Sequence, residues 1–300
     1  RMRVALCQID TTVGDFDGNR HRIVAAAEEA LDKGAQLAVF PELSVCGYPA
    51  EDLLLRKAFL VAHDASLKQL TTDLPLGIDV LVGCLEANAQ MDQFVGRPLR
   101  NAVALIRDGE CRIVARKSLL PTYDVFDESR YFEPFLTPEK NIFELNGHKV
   151  GVVVCEDSWN DEEFFGRRAY AIDPVARVVD AGAELVVNLS ASPWTRGRQE
   201  FRARMVAAAA KRHGVAMIYV NQVGGDVELQ FDGGSIAAKA DGIAVQPIAF
   251  AEAVTVVDTD DSWGQQLVAP SLLAMQYAAC VQGIRAYVQK FGFAKVVVGL

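Results

Sequence analysis

Val152-Val153-Val154-Cys155-Glu156-Asp157 is the stretch on which both the fold and the chemistry of this chain turn. Three β-branched residues in a row, after Lys149-Val150-Gly151, read as a strand buried on both faces. The strand runs directly into a thiol and two carboxylates. Its end has little backbone freedom, so a thiol there is well placed to attack a carbonyl carbon. Most free cysteines are simply small buried hydrophobes. Apolar packing, however, gives no reason for Glu156 and Asp157 to follow one.

The same sign recurs outward from this segment. Leu37-Ala38-Val39-Phe40 ends in Pro41 and Glu42, and Ile113-Val114-Ala115 ends in Arg116 and Lys117. Strands are expected at 3–9, 35–40, 79–85, 102–107, 113–116, 149–155, 185–189, 216–221, 235–239 and 253–258. Amphipathic segments predict helices at 19–33, 53–70, 169–181, 198–212 and 271–291. In the first helix Ile23, Ala27, Ala30 and Leu31 share a face and Asn19 is placed to cap it. Arg212-His213-Gly214 closes the fourth with cations and a glycine. Asp108-Gly109 and Asp241-Gly242 supply the positive-φ residues of hairpin turns. Strands alternating with helices, plus hairpins, give an α/β protein with a mixed sheet or two sheets.

A cysteine nucleophile needs a base and a donor for the developing oxyanion. None of His21, His63, His148 and His213 stands at a strand end or in a motif. A carboxylate in an apolar cleft can do the same work, because desolvation raises its pKa. Glu42, at the carboxyl end of a buried strand, is the candidate, although a solvated loop acid is an equally good reading of that segment alone. Lys117 could stabilise an oxyanion or help ionise the thiol, although an isolated lysine at a strand end is more often just that.

Composition excludes several classes. The net charge is −9 with no Lys/Arg run, which argues against a nucleic-acid partner. The six cysteines are scattered, so neither a disulfide framework nor a metal site is expected. No secretory signal is visible, and a cytoplasmic location is expected. Residues 262–284 carry no formal charge, but Gln265, Gln266, Pro270, Gln276 and Gln282 suit a loop and a buried helix better than a membrane span.

Taken together, Phe40-Pro41-Glu42, Arg116-Lys117-Ser118-Leu119-Leu120-Pro121 and Val153-Val154-Cys155-Glu156-Asp157 resemble the nitrilase, or carbon–nitrogen hydrolase, superfamily. The resemblance implies a four-layer α-β-β-α sandwich and a Glu42, Lys117, Cys155 triad, with Glu128 of Asp127-Glu128-Ser129-Arg130 supporting the lysine. Glu42-Leu43-Ser44-Val45-Cys46-Gly47-Tyr48-Pro49, Leu120-Pro121-Thr122-Tyr123-Asp124-Val125-Phe126, Asn188-Leu189-Ser190-Ala191-Ser192-Pro193 and Phe231-Asp232-Gly233-Gly234 look like the glutaminase domain of bacterial NAD synthetases. For that branch the resemblance implies L-glutamine as substrate, held by Tyr48, Tyr123, Phe126, Glu156, Ser192 and Arg198. Arg198 suits a substrate carboxylate and Glu156 an ammonium.

The likeness to the glutaminase domain covers residues 1–260. Residues 261–300 resemble a connector and the first helix and strand (Val296-Val297-Val298-Gly299-Leu300) of an ATP-dependent synthetase domain otherwise missing here. The implied reaction is hydrolysis of glutamine through a cysteine thioester, with no cofactor. The parent enzyme is implied to use ATP and Mg2+, to pass ammonia to nicotinic acid adenine dinucleotide, and to be a homo-oligomer. Two other readings stay open: a stand-alone amidase for another amide or nitrile, and a non-catalytic oligomerisation or docking module.

Overall fold

The protein is described from a computed structural model covering residues 1–300 except 92–94, 246–247, 267, 269–270 and 300. Pro270 and Leu300 therefore lie outside the described residues. In chain order the first half contributes β1 (Arg3–Gln8), α1 (Phe16–Asp32), β2 (Leu37–Val39), α2 (Lys57–Asp73), β3 (Asp79–Ala87), β4 (Leu99–Arg107) and β5 (Glu110–Arg116). There follow β6 (Ile142–Leu145), β7 (His148–Val154), α3 (Glu162–Phe165), α4 (Pro174–Asp180), β8 (Leu185–Ser190), α5 (Arg198–His213) and β9 (Ala216–Asn221). Last come β10 (Val223–Gly225), β11 (Gln230–Asp232), β12 (Ile236–Lys239), β13 (Gly242–Val245), β14 (Ala253–Asp258) and α6 (Leu272–Lys290).

Two six-stranded sheets result, ordered β14-β1-β2-β3-β4-β5 and β13-β12-β9-β8-β7-β6. Their facing sides are filled by alternate residues of each strand. Val4 and Leu6 of β1 meet Leu185, Val187 and Leu189 of β8 in one core between the sheets. The residues between them face the other way. Ala5 and Cys7 pack under α1 with Ile23, Ala27 and Ala30, and Val186 packs with Val206 and Ala210 of α5. A strand period of two thus splits the apolar residues between an inner core and two outer ones, giving helix, sheet, sheet, helix. This is the expected four-layer α-β-β-α sandwich.

The hairpin β4–β5 turns through Asp108 and Gly109, both with positive φ, as their sequence predicts. Several boundaries differ from expectation. Helix α1 starts at Phe16, capped by the Asp15 carboxylate, which accepts from Gly18 N–H. Asn19 is instead buried and holds Thr12 through two hydrogen bonds. Helix α2 starts at Lys57, because Arg56 is extended and residues Glu51–Leu55 form a separate short turn. The helix expected at 169–181 shrinks to Pro174–Asp180. The amides of Ala169 and Tyr170 are taken by the Asn160 side-chain oxygen, and the residue before a proline resists helical geometry.

Helix α6 is not the buried helix expected after residue 262. Met275, Ala279 and Ala286 are buried, whereas Leu273, Tyr277 and Ile284 are exposed. It leans on β10 and β11, tied by Gln282 to Phe231 and by Lys290 to Asp10, Thr11 and Gly225. The described residues 296–299 form no strand, since among the described residues no neighbouring strand pairs with them. No helix among the described residues is long and apolar enough to cross a membrane.

Candidate active site

Three strand ends converge where the two sheets meet. Glu42 follows β2 and Lys117 follows β5 in one sheet, and Cys155 follows β7 in the other. The Glu42 turn lies against β3 so closely that a Cβ on Gly83 would sit 2.1 Å from Leu43 N and 2.6 Å from the Glu42 carbonyl carbon. Only glycine lets the two backbones approach in this way. Cys155 is a left-handed residue, with φ of +43°. Such a conformation costs a non-glycine residue about 1–3 kcal/mol and survives only where the surroundings over-determine it. Here the Asn188 carboxamide does so: its Oδ1 accepts from Cys155 N–H (2.9 Å) and its Nδ2 donates to Cys155 O (3.2 Å) and Ser158 Oγ (2.6 Å).

Lys117 Nζ lies 2.7 Å from Glu42 Oε1 and 2.7 Å from Glu128 Oε2, with all three side chains buried. Glu42 Oε1 also accepts from Asn101 Nδ2 (2.7 Å), and its Oε2 accepts from Ala191 N–H (3.2 Å). Tyr48 OH donates to Glu128 Oε1 at 2.8 Å. Burial alone would depress the Lys117 ammonium, but Glu128 and Glu42 outweigh it and hold the pKa well above the lysine range. Glu128 is pushed up to about 7 by burial, against the pull of Lys117 and with the charge of Glu42 adding to the rise. The Cys155 thiol is raised well above its usual value by burial and then by Glu42, with Lys117 and a hydrogen bond from Ser190 pulling the other way. The shift favours the protonated thiol, so an attack by this sulfur on a carbonyl would need a nearby acceptor for its proton.

The remaining sequence-predicted residues divide. Glu156 is buried and accepts from Tyr170 OH (2.8 Å) and Tyr123 OH (3.0 and 3.1 Å). Burial raises its pKa, with Tyr170, Lys117 and Tyr123 partly offsetting the rise. Phe126 packs edge-on against Tyr123 at 5.5 Å and, with Tyr48, Leu43 and Tyr131, lines a cavity of about 200 Å³ that reaches Glu128. Ser192 is fixed on both sides: Asn221 Oδ1 accepts its N–H at 2.8 Å, and its Oγ accepts from buried Arg202 at 3.3 Å. Arg198 is not drawn into the carboxylate cluster. Its guanidinium lies over the Trp159 ring at 5.1 Å and Nε reaches Thr195 Oγ1 at 3.4 Å.

Sequence reasoning missed Asn101, Asn188, Tyr170 and the part played by Asp157. Asn101 and Asn188 each left a signal, the one carboxamide in a largely apolar strand, which burial obliges to find partners. Tyr170 left none. Among the described residues, no cluster of three or more His, Cys, Asp or Glu side chains is arranged to hold a metal ion.

Fold and strand-end chemistry together define a hydrolase scaffold of one kind, and the chain belongs to the carbon–nitrogen hydrolase family, which it matches over residues 3–266. Among its relatives, the glutamine-dependent NAD(+) synthetase of Synechocystis is 40% identical over 99% of this chain and 54% of its own length. That of Thermotoga maritima is 35% identical over the whole of this chain and 56% of its own. The solved glutamine-dependent NAD+ synthetase of Acinetobacter baumannii, in complex with adenosine diphosphate, superposes with a TM-score of 0.84 at 32% identity, covering 98% of this chain and 53% of that one. An amidase from Nesterenkonia, at 23% identity, shares the fold with a TM-score of 0.68 over 86% of this chain and 90% of its own. The chain thus spans about half the length of the synthetases it matches.

Proposed function

We propose that this chain is the glutamine-hydrolysing part of a glutamine-dependent NAD(+) synthetase, with Cys155 as nucleophile, Glu42 as general base and Lys117 as oxyanion donor. The observation that carries the reading is the buried Lys117 ammonium held 2.7 Å from each of two carboxylates beside a left-handed cysteine. A structural role alone gives no reason to bury such a cluster next to a thiol.

In the proposed reaction Glu42 takes the thiol proton as sulfur adds to the γ-carbonyl of glutamine, and Lys117 with a backbone N–H stabilises the tetrahedral oxyanion. Glu42 returns the proton to departing ammonia, leaving a γ-glutamyl thioester. It then activates water, which releases glutamate and restores the thiol. Glu156, kept in place by two tyrosine hydroxyls, is suited to the substrate ammonium. Tyr48, Tyr123, Phe126 and Ser192 would shape the pocket, and Arg198 would meet the substrate carboxylate only by leaving the Trp159 face.

The glutaminase step as drawn uses no cofactor. ATP and Mg2+ would serve the nucleotide-amidating half that the resemblance implies. The exposed apolar residues of α6 and the described residues 296–298 would pack against that half, which supports the reading of a boundary near residue 260. Homo-oligomerisation is proposed on the same likeness, and light scattering tests it.

The deciding experiment uses a glutamine analogue with an electrophilic γ-carbon. Labelling at Cys155, with ammonia release from glutamine lost in Cys155→Ser, is the expected result. Labelling elsewhere with Cys155 untouched refutes the assignment. Faster turnover of simple ω-amides than of glutamine would favour a stand-alone amidase.

A further inference from the structure

We infer that Asp157 is a positioning residue that sets the spacing between the nucleophile and the lysine by bonding the backbone of both their loops. This rests on the reading of Cys155 and Lys117 as reacting groups. The Asp157 side chain is fully buried. Its Oδ1 accepts from Ser118 N–H (3.0 Å) and Leu119 N–H (2.8 Å), the two amides directly after Lys117. Its Oδ2 accepts from Val154 N–H (2.9 Å), the amide directly before Cys155.

Lys117 and Cys155 end strands of different sheets, and among the described residues no strand pairing joins those sheets. Their separation is therefore not fixed by a ladder, and one carboxylate bridges the gap. The neighbouring bridge is Asn141: its side chain bonds Arg116 N–H and C=O, and its carbonyl accepts from Val152 N–H. That bridge ties the strands one step further back and does not touch the residues flanking the thiol.

The residue type matters. Three donors arrive from two directions, and a carboxylate offers acceptors on both oxygens whereas a carboxamide offers one. Among the described residues, Asp157 has no cationic partner of its own within hydrogen-bonding distance. The ordinary reading of a buried aspartate as half of an ion pair does not apply. Burial raises its carboxyl to about 7, with the bonds from Val154 and Leu119 resisting the rise.

The test is Asp157→Asn in the full 300-residue chain. With its oxygen kept on Ser118 and Leu119, the new amide faces Val154 N–H donor to donor, so the cysteine side of the bridge opens. Displacement of a reacting group by about 1 Å can cost on the order of a hundredfold in rate, so kcat for ammonia release should fall about a hundredfold. The KM for glutamine should change by no more than about twofold, since no substrate contact is removed. Alkylation of Cys155 by iodoacetamide should slow in parallel.

Turnover is counted per active site, by titration with the electrophilic glutamine analogue, alongside the melting temperature. A lowered melting temperature with wild-type turnover per titrated site would make Asp157 merely structural and overturn the inference. Should Asp157→Asn not accumulate as folded chain, Asp157→Glu keeps the charge and acceptors but lengthens the bridge. The same loss of kcat is expected there, and wild-type turnover from it would equally overturn the inference. Failure of the wild-type chain to label at Cys155 or to release ammonia is a different outcome: it removes the functional reading on which the inference rests.

Discussion

Replacing Lys117 by methionine probes the central feature of the site, because it removes a buried charge while keeping most of the side-chain volume. In the native protein the ammonium faces Glu42 and Glu128 at 2.7 Å each, wholly out of water. Breaking a buried ion pair by removing one partner costs about 3–5 kcal/mol, because the remaining charge is stranded. Here two carboxylates are stranded, so the upper part of that range is expected at pH 8. At about 2–4 °C per kcal/mol for domains approaching this size, the melting temperature should drop by on the order of 10 °C.

The deficit should depend on pH with a definite sign. Glu128 already sits at about 7 with the lysine present, and losing that cation moves it further up. Its folded pKa then exceeds the unfolded value, so the contribution is fully favourable below the unfolded pKa and is lost as pH rises through the folded one. The variant should therefore lie closest to wild type near pH 5 and fall away above neutrality. Adding Glu42→Gln and Glu128→Gln to Lys117→Met removes every stranded charge and should restore most of the stability without restoring activity. Urea unfolding of wild type, the single variant and the triple variant at pH 5 and pH 8 measures all of this. A single variant within about 1 kcal/mol of wild type at pH 8, or a triple variant no better than the single, would refute the reasoning.

Other predictions follow from separate contacts. Gly83→Ala sets a methyl against the backbone of the Glu42 turn, where neither chain can yield. It should cost about 1–3 kcal/mol by overpacking and lower glutamine turnover per titrated site, because the Glu42 carboxylate moves. Asn101→Leu deletes the donor to Glu42 Oε1, and the loss of a hydrogen bond to a charged group should lower the unfolding free energy by about 1.5–3 kcal/mol in urea titrations. Buried His63 accepts from Leu85 N–H, and burial lowers its pKa despite the adjacent Asp64. Its stability contribution is thus present above the unfolded histidine value of about 6.5 and lost as pH falls through the folded one. Comparing urea midpoints of wild type and His63→Gln from pH 8 to pH 5 should show the wild type losing ground only at the acid end.

Much of the fold was legible because β1, β7, β8 and β9 are apolar runs whose alternate residues feed different cores. Such runs survive as strands wherever they pack. The helix starts were less legible, since Arg56 and Asn160 decide them through backbone geometry and a remote side-chain acceptor. Within the site, Glu42, Lys117 and Cys155 could be found because each is a polar residue at the end of an apolar strand. Asn101 and Asn188 act on partners 30 or more residues away, as Asp157 does on the Ser118 and Leu119 amides, and no local pattern encodes those partners. The tail was misjudged for a related reason. Apolar content predicts burial only where a surface is available to receive it, and α6 meets such a surface along one face.

The charge arrangement also explains why a lysine with two carboxylate neighbours suits the proposed reaction better than one with a single partner. With all three groups ionised, Lys117, Glu42 and Glu128 carry one net negative charge in a dry site, and the rise of Glu128 to about 7 is how the cluster sheds it. A thiolate formed beforehand would add a further anion, which the upward shift of Cys155 shows to be unfavourable. If proton transfer to Glu42 accompanies attack instead, the negative charge leaves that carboxylate as it appears on the substrate oxygen. The ammonium would then lose one anionic partner just as another forms, while Glu128, itself bonded by Tyr48, would keep it in place. Stabilisation is thereby weighted toward the transition state rather than the resting site. In the proposed reaction the supporting carboxylate would keep the lysine from drifting or deprotonating when Glu42 becomes neutral. Glu128→Gln should accordingly reduce kcat far more than it reduces glutamine binding, and an unchanged kcat in that variant would mean that Glu42 alone suffices to hold the cation.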